Sequence, residues 1–226
     1  MSRTNKTANP KAAEEELRKA VVAAALEMSR TGLSPGRSGN VSARFRDGML
    51  ITPTGMRYEE IEPADIVLVE NRGGGRPNQR KPSSEWQIHQ AVYQTRPDMH
   101  AVVHAHSLHA TVLACAQKPI PAFHYMVAAA GGIDIPLVPY ATFGSDDLAQ
   151  LVAEGLRNRN ACLMANHGQI AMGPSLSAAL ELALEVEVLA EQYYKVLTLG
   201  APSLLSDAEM LRVLTRFTSY GQKAHD

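Results

Sequence analysis

Three histidines and one glutamate in this chain have the types and spacing that metal chemistry uses. His104 and His106 are separated by one residue within the run AVVHAH. The run reads as a strand, and on a strand alternate side chains share a face. Both imidazoles then point the same way, with Val103 and Ala105 facing the other side. Two imidazoles so placed can grip one metal ion. Without a metal, burying two polar rings beside an apolar run is costly unless each finds partners. A satisfied histidine pair in the core or at the surface is the plain alternative. His167 adds a third ring. It follows ACLMA in Asn166-His167-Gly168-Gln169, and Gly168 is expected to allow a tight turn that aims His167 at the same site. A close histidine pair plus one distant histidine is a common pattern for catalytic zinc, with an open coordination position.

Glu85 is the fourth candidate. It follows Ser83 and Ser84, so it is expected in the first turn of a helix. Spacing alone favours a carboxylate that simply suits the positive helix end. The functional alternative is a metal ligand, or a group that takes a proton from a metal-bound substrate. The other histidines lack such company: His89 and His109 read as helix-surface or packing residues, His100 precedes a strand, and His225 lies in the tail. His124, next to Tyr125, is left open.

The elements that must position these groups alternate between helix and strand signals. A helix is expected from about Lys11 to Thr31, because Leu17, Val21, Ala24 and Met28 recur at three- and four-residue steps. Val41, Ala43 and Phe45 alternate with polar residues, as in a half-buried strand. The turn Arg46-Asp47-Gly48 then leads into a paired strand, Met49 to Thr52. Ile66 to Val69 is expected as a central strand, and Asn71 to Pro82 as an exposed loop. A helix is expected to begin near Ser83-Ser84, capped by serine. Ala101–His106, Asp134–Pro139, Ala161–Ala165 and Gln169–Met172 read as strands, Leu108–Ala116 and Asp146–Arg157 as helices. Pro174 suits the first turn of a long helix striped by Leu182, Val186, Leu189, Tyr193 and Val196. Ser206 and Glu209 form a capping box for the last helix. The whole reads as α/β, a single domain whose mixed central sheet is flanked by helices. Residues 1–12 are expected as a disordered tail and residues 13–226 as the domain.

The chain has 226 residues, 45% of them hydrophobic, and a formal net charge of −1. A chain this long buries a sizeable core. Near neutrality it has no broad attraction for nucleic acid or an anionic membrane, so any phosphate must be held locally. No stretch reaches the roughly 18 apolar residues of a spanning helix. The start MSRTNKTANPK lacks the apolar centre of a secretory signal, and Glu14, Glu15 and Glu16 argue against a transit peptide. A cytoplasmic protein is expected. Cys115 and Cys162 both sit in apolar contexts and are expected as buried, reduced thiols.

The stretches SGNVSARF, DGMLITPTGM, KPSSEW, AVVHAHSLHAT, IPAFHYMVAAAGG, PYATFGS, NHGQIA, LEVEVLAEQYY and SYG carry a further signal. Each is weak alone. In this order and spacing, from about residue 15 onward, the chain resembles class II aldolases of the aldolase/adducin family, most closely the branch that acts on L-fuculose 1-phosphate. The resemblance implies a mixed, mostly antiparallel sheet. It implies one zinc per subunit on His104, His106 and His167, with Glu85 as a metal-associated acid/base. It also implies a phosphate pocket from Gly39, Asn40, Thr54, Gly55, Ser83 and Ser84. Small hydroxyls, an amide and glycine N–H groups suit phosphate oxygens without a cationic surface, and a helix start at the serines would add a favourable dipole. Tyr125 matches a general acid supplied by a neighbouring subunit, Tyr220 a tyrosine in a C-terminal segment that closes over the site, and Phe143 a residue at the aldehyde end. A homotetramer with active sites at subunit interfaces follows.

The implied reaction is zinc-dependent retro-aldol cleavage of a ketose 1-phosphate, with L-fuculose 1-phosphate giving dihydroxyacetone phosphate and L-lactaldehyde as the first expectation. A sugar-phosphate epimerase, dehydratase or decarboxylase of the same family is the alternative. A non-enzymatic adducin-like interaction module ranks lower, because His104, His106, His167 and Glu85 are all present. A lysine Schiff-base aldolase ranks low, since no lysine sits in an evident apolar pocket motif.

Overall fold

A computed structural model describes residues 10–34, 36–70 and 78–218 of the chain. Helix α1 (Pro10–Arg30) buries Val21, Ala24 and Met28 of the expected stripe together with Ala25, while Leu17 is partly buried. It starts at Pro10, so residues 10–12, assigned above to the tail, are helical. Residues 1–9 and 219–226 lie outside the described residues, and Tyr220 with them.

Seven strands form one sheet in the order β3-β2-β1-β4-β7-β6-β5. They are β1 (Asn40–Phe45), β2 (Gly48–Ile51), β3 (Val67–Glu70), β4 (Ala101–Ala105), β5 (Leu137–Val138), β6 (Ala161–Met164) and β7 (Gly168–Gly173). Every neighbouring pair is antiparallel except β5 with β6. The fold is therefore α/β with a mixed, mostly antiparallel sheet.

Helices cover both faces. Helix α1, α3 (Leu108–Cys115) and α5 (Leu176–Leu199) pack on one; α2 (Trp86–Thr95) and α4 (Asp146–Gly155) pack on the other. Residue alternation along each strand sorts the core accordingly. Val41, Ala43, Val103 and Ala105 join the α1/α5 side, while Ile51, Val102, Ile170 and Met172 join the α2/α4 side. Helix α6 (Asp207–Phe217) packs on a 3-10 segment, Tyr125–Ala130. No described helix is long and apolar enough to cross a membrane.

Several local expectations are corrected. Strand β3 lies at the sheet edge rather than its centre. Its apolar run reflects burial under helices on both faces, not its place in the pairing order. Strand β1 is buried on both faces from Asn40 to Ala43, not half-buried, because its polar Asn40 and Ser42 turn into the α2/α4 layer. Strand β5 shrinks to two residues, bracketed by Pro136 and Pro139, which cannot donate to a ladder. Pro174 precedes the cap of α5 instead of opening its first turn; Ser175 is the cap and accepts from Ala178 N–H. The expected capping box on α6 is half formed. Ser206 Oγ accepts from Glu209 N–H, while the Glu209 carboxylate pairs with Arg212. Cys162 is buried and its thiol is pushed up to about 12 by desolvation, but Cys115, the last residue of α3, is exposed.

Gly39 sits where β1 leaves the preceding turn, and it has no room for a side chain. A Cβ there would lie 2.6 Å from the His104 carbonyl oxygen and 2.6 Å from Ser34 Oγ. The Gly39 carbonyl also accepts from the Tyr58 hydroxyl at 2.6 Å. Gly39→Ala is therefore expected to force β1 away from β4 and to destabilise the protein by about 1–3 kcal/mol. Urea unfolding reads this directly; an unshifted midpoint would show that the strand pair absorbs the methyl freely.

Candidate metal centre

Strand β4 lies between β1 and β7, with His104 opposite Asn40 on one side and Ile170 on the other. His104 is wholly buried on the α2/α4 face. Its Nδ1–H donates to the Gln169 carbonyl at 2.8 Å. That bond fixes the ring's orientation and leaves Nε2 with a free lone pair. His106 stands one residue past the end of β4.

His167 comes from the turn between β6 and β7, where its N–H donates to the Met164 carbonyl at 3.1 Å. The left-handed residue of this turn is Asn166, at φ 55°, and not Gly168 as expected. Gly168 is required for space instead. A Cβ there would lie 2.5 Å from the Ala105 carbonyl oxygen and 3.0 Å from His106 Cδ2.

Glu85 is the N-cap residue of α2, one place before the first turn where it was expected, and its side chain makes no capping bond. Ser83 and Ser84 precede the helix rather than begin it, with Ser83 Oγ accepting from Glu85 N–H at 3.3 Å. The Glu85 carboxylate turns to the imidazoles. Its Oε2 is 3.1 Å from His104 Nε2, and its Oε1 is 3.0 Å from His167 Nε2. His104 Nε2 and His106 Nε2 are 3.0 Å apart. The three ring centroids are separated by 4.8, 4.9 and 4.9 Å at steep mutual angles, like blades about one axis.

This donor set fits a metal ion. One ligand atom from each of the four residues lies within 4.8 Å of all the others. A tetrahedral site with bonds of about 2.0–2.1 Å has edges of about 3.3 Å, close to the separations found. Glu85 Oε1 is buried and makes no hydrogen bond despite its nearness to His167. The His104 Nε2 lone pair faces a second imidazole and a carboxylate, an arrangement that needs a cation or a proton at its centre. Burial opposes charge on Glu85, but His104 and His167 outweigh it and hold the carboxyl far below the usual range. Burial also opposes charge on His104, yet Glu85 raises its pKa. Burial, with the neighbouring rings, pushes His106 down to about 4.

Glu85, His106 and His167 open onto a cavity of about 590 Å³. Gly39, Asn40, Thr54, Gly55, Ser83 and Ser84 line the same cavity. An antiparallel bridge between Pro53 and Pro82 brings the Thr54-Gly55 turn against the two serines. Bonds from Thr54 N–H to the Lys81 carbonyl and from Ser83 N–H to the Thr52 carbonyl hold them there. Phe143 also lines the cavity. It is carried by a loop whose Gly144 carbonyl accepts from Gln87 Nε2–H at 3.1 Å.

Sequence reasoning missed Arg37, Ser38, Tyr140 and Asn166 in this lining. Arg37 donates to the Gly55 carbonyl at 3.0 Å and sets a guanidinium beside that turn. The signals available were its nearness to Gly39-Asn40 and the adjacency of Asn166 to His167. Tyr125 is half exposed and does not line the cavity; it lines a separate groove with α6. His124 caps the 3-10 segment, its Nδ1 accepting from Met126 N–H at 3.3 Å. His109 pairs with Glu187 at 2.9 Å.

Residues 19–194 match the family described as Class II Aldolase and Adducin N-terminal domain. The chain is 49% identical over 208 residues to a 5-methylthioribulose-1-phosphate/5-deoxyribulose-1-phosphate aldolase of Rhodospirillum rubrum, covering 92% of this chain and 94% of that protein. It is 50% identical over 212 residues to an L-fuculose phosphate aldolase of Haemophilus influenzae, covering 93% and 98%. A solved L-fuculose 1-phosphate aldolase superposes with a TM-score of 0.87 at 38% identity, covering 90% of this chain and 96% of that one.

Replacing His104, His106 or His167 by Ala is expected to abolish tight binding of a divalent metal, since losing one of three imidazole ligands leaves an open, weakly chelated ion. In the intact protein a proton on His104 competes with the metal. Its pKa is raised by the Glu85 carboxylate, so competition sets in at higher pH than for an ordinary imidazole, and metal affinity should fall about tenfold per pH unit below that pKa. Chelator competition between pH 8 and pH 5.5 measures this; a pH-independent affinity would exclude His104 as a ligand.

Proposed function

This chain belongs to the class II aldolase and adducin family, and we propose that it is a zinc-dependent lyase cleaving a ketose 1-phosphate by retro-aldol reaction. One observation carries the reading: the Glu85, His106 and His167 side chains share a cavity with the hydroxyls and glycine backbone of Thr54, Gly55, Ser83 and Ser84. A cation site and a set of phosphate donors thereby face one substrate. Held by His104, His106 and His167, the metal would supply Lewis-acid polarisation of the substrate carbonyl and stabilise the enediolate that cleavage leaves.

The chain's own groups do the rest. Small hydroxyls and the Gly39 and Gly55 backbone hold phosphate oxygens, with Asn40 alongside. Arg37 adds a positive charge at the Gly55 turn. In cleavage a base takes the proton of the C4 hydroxyl, the C3–C4 bond breaks, and its electron pair passes into the enediolate. Glu85 returns a proton to C3, which releases dihydroxyacetone phosphate. Tyr125 serves the aldehyde oxygen, and its absence from the cavity of its own chain suits supply by a neighbouring subunit. A homotetramer with interfacial sites, to which Tyr220 also contributes, belongs to this proposal.

L-fuculose 1-phosphate is the first candidate substrate. A five-carbon ketose 1-phosphate is the second, supported by the identity to the Rhodospirillum rubrum enzyme. Phe143 and Tyr140, exposed aromatics on the cavity wall, are placed to discriminate their aldehyde ends.

The test is release of dihydroxyacetone phosphate by the zinc-loaded protein from L-fuculose 1-phosphate, 5-deoxyribulose 1-phosphate and 5-methylthioribulose 1-phosphate. Turnover of at least one is expected. Glu85→Gln should lower kcat by about 10²-fold or more while the oligomer and fold persist. Product from none of the three, or an epimerised phosphate in place of an aldehyde, would overturn the reading.

A further inference from the structure

The sequence reading left His89 as a packing or surface residue. The structure buries it completely and bonds it at both nitrogens. It belongs to a line of polar side chains running through the α2/α4 layer to Glu85. Glu85, His89 and Tyr93 are spaced by four along α2, and Asn40 and Ser42 by two along β1. A helix rises about 6 Å in four residues, and a strand advances about 6.6 Å in two. The two rows therefore interdigitate.

The direction of every bond in this line follows from the carboxylate. Glu85 Oε2 can only accept, so the Asn40 amide presents its Nδ2–H to it, at 3.2 Å. The Asn40 Oδ1 then faces His89 and must be donated to, which places the proton on His89 Nε2. Burial holds that ring neutral, its pKa pushed down to about 3. Its Nδ1 is consequently an acceptor, served by the Ser42 hydroxyl at 2.7 Å. Ser42 Oγ in turn accepts from the Tyr93 hydroxyl at 2.8 Å. All five groups are buried. If the Asn40 amide turned over, its carbonyl oxygen would face a carboxylate, and Glu85 would be pushed from its place beside His104 and His167.

We infer that His89, backed by Ser42 and Tyr93, is a positioning residue: it locks the Asn40 amide in the one orientation that holds Glu85 against the metal centre. The role rests on the aldolase reading for its activity arm. It touches no substrate and no metal. It extends the machinery one layer into the core, with a single tautomer of His89 as its physical content.

Three measurements on the full-length, zinc-loaded protein test it. The first is nitrogen-15 NMR of His89, where a neutral Nε2–H tautomer is expected; an Nδ1–H tautomer would overturn the proposal. The second compares His89→Gln, whose amide can still donate to Asn40, with His89→Met, which cannot. His89→Met is expected to lower kcat by about 10–100-fold with KM and zinc stoichiometry unchanged, and His89→Gln to recover most of the loss. Equal kcat in wild type and His89→Met, with only a lowered melting temperature, would reduce His89 to packing. The third covers the case in which His89→Met fails to fold. Ser42→Ala leaves Asn40 and Glu85 untouched but removes the hydrogen bond that holds the Nδ1 side of the His89 ring, so it should lower kcat with the Nε2–H tautomer retained; an unchanged kcat, or an Nδ1–H tautomer, would again overturn the inference. A wild type inactive on every ketose phosphate would be a different result, the failure of the aldolase reading itself.

Discussion

A carboxylate and three imidazoles brought within 4.8 Å of one another at the edge of an apolar layer form the constraint that the rest of the structure serves. Three of the pairs, Glu85 with His104, Glu85 with His167 and His104 with His106, stand 3.0–3.1 Å apart, with Glu85 and His104 buried. Such a cluster is stable only around a positive charge, because the carboxylate and the imidazole lone pairs otherwise repel. It also needs anchors remote in sequence: the end of β4, the β6–β7 turn and the start of α2. The antiparallel sheet supplies them by setting β4 between β1 and β7.

The cluster dictates details around it. The Gln169 carbonyl sets the His104 ring, Gly168 lets β7 pass close beneath His106, and Gly39 gives β1 contact with the His104 carbonyl. The α1/α5 side of the sheet carries a continuous apolar core that meets this set at Gly39, through Met28 and Tyr58, and at Gly168, through the Ala105 carbonyl. The α2/α4 side carries apolar packing together with the buried polar line that ends on Glu85. Much of the fold's stability thus resides away from the chemistry, and the buried polar groups tied to Glu85 lie in the α2/α4 layer.

The parts of the site legible in the sequence were those governed by local periodicity. Strand alternation made His104 and His106 a pair, the Asn166-His167-Gly168 stretch offered His167 as a third ring, and the chain's likeness to known aldolases favoured the functional reading of Glu85 and supplied the phosphate lining. Nothing local showed that Glu85 would cap α2 without bonding its backbone, since four free N–H groups ordinarily attract such a carboxylate. Gly168 was read for backbone freedom when its reason is space, a contact that exists only once β4 and β7 pair. His89 was overlooked because its neighbours Gln87 and Gln90 suggest a solvated helix face; the four-residue ladder Glu85, His89, Tyr93 was the available sign. The edge position of β3 and the brevity of β5 follow from pairing order and two prolines, of which only the prolines were on view.

The central claim is that three imidazoles with an adjacent carboxylate hold the metal at the cavity floor. Zinc K-edge X-ray absorption on the purified protein tests it most directly. A shell of nitrogen and oxygen neighbours at about 2.0–2.1 Å is expected, with the multiple-scattering features of three imidazoles. A sulfur neighbour at about 2.3 Å, or the scattering of fewer than three imidazoles, would contradict the account.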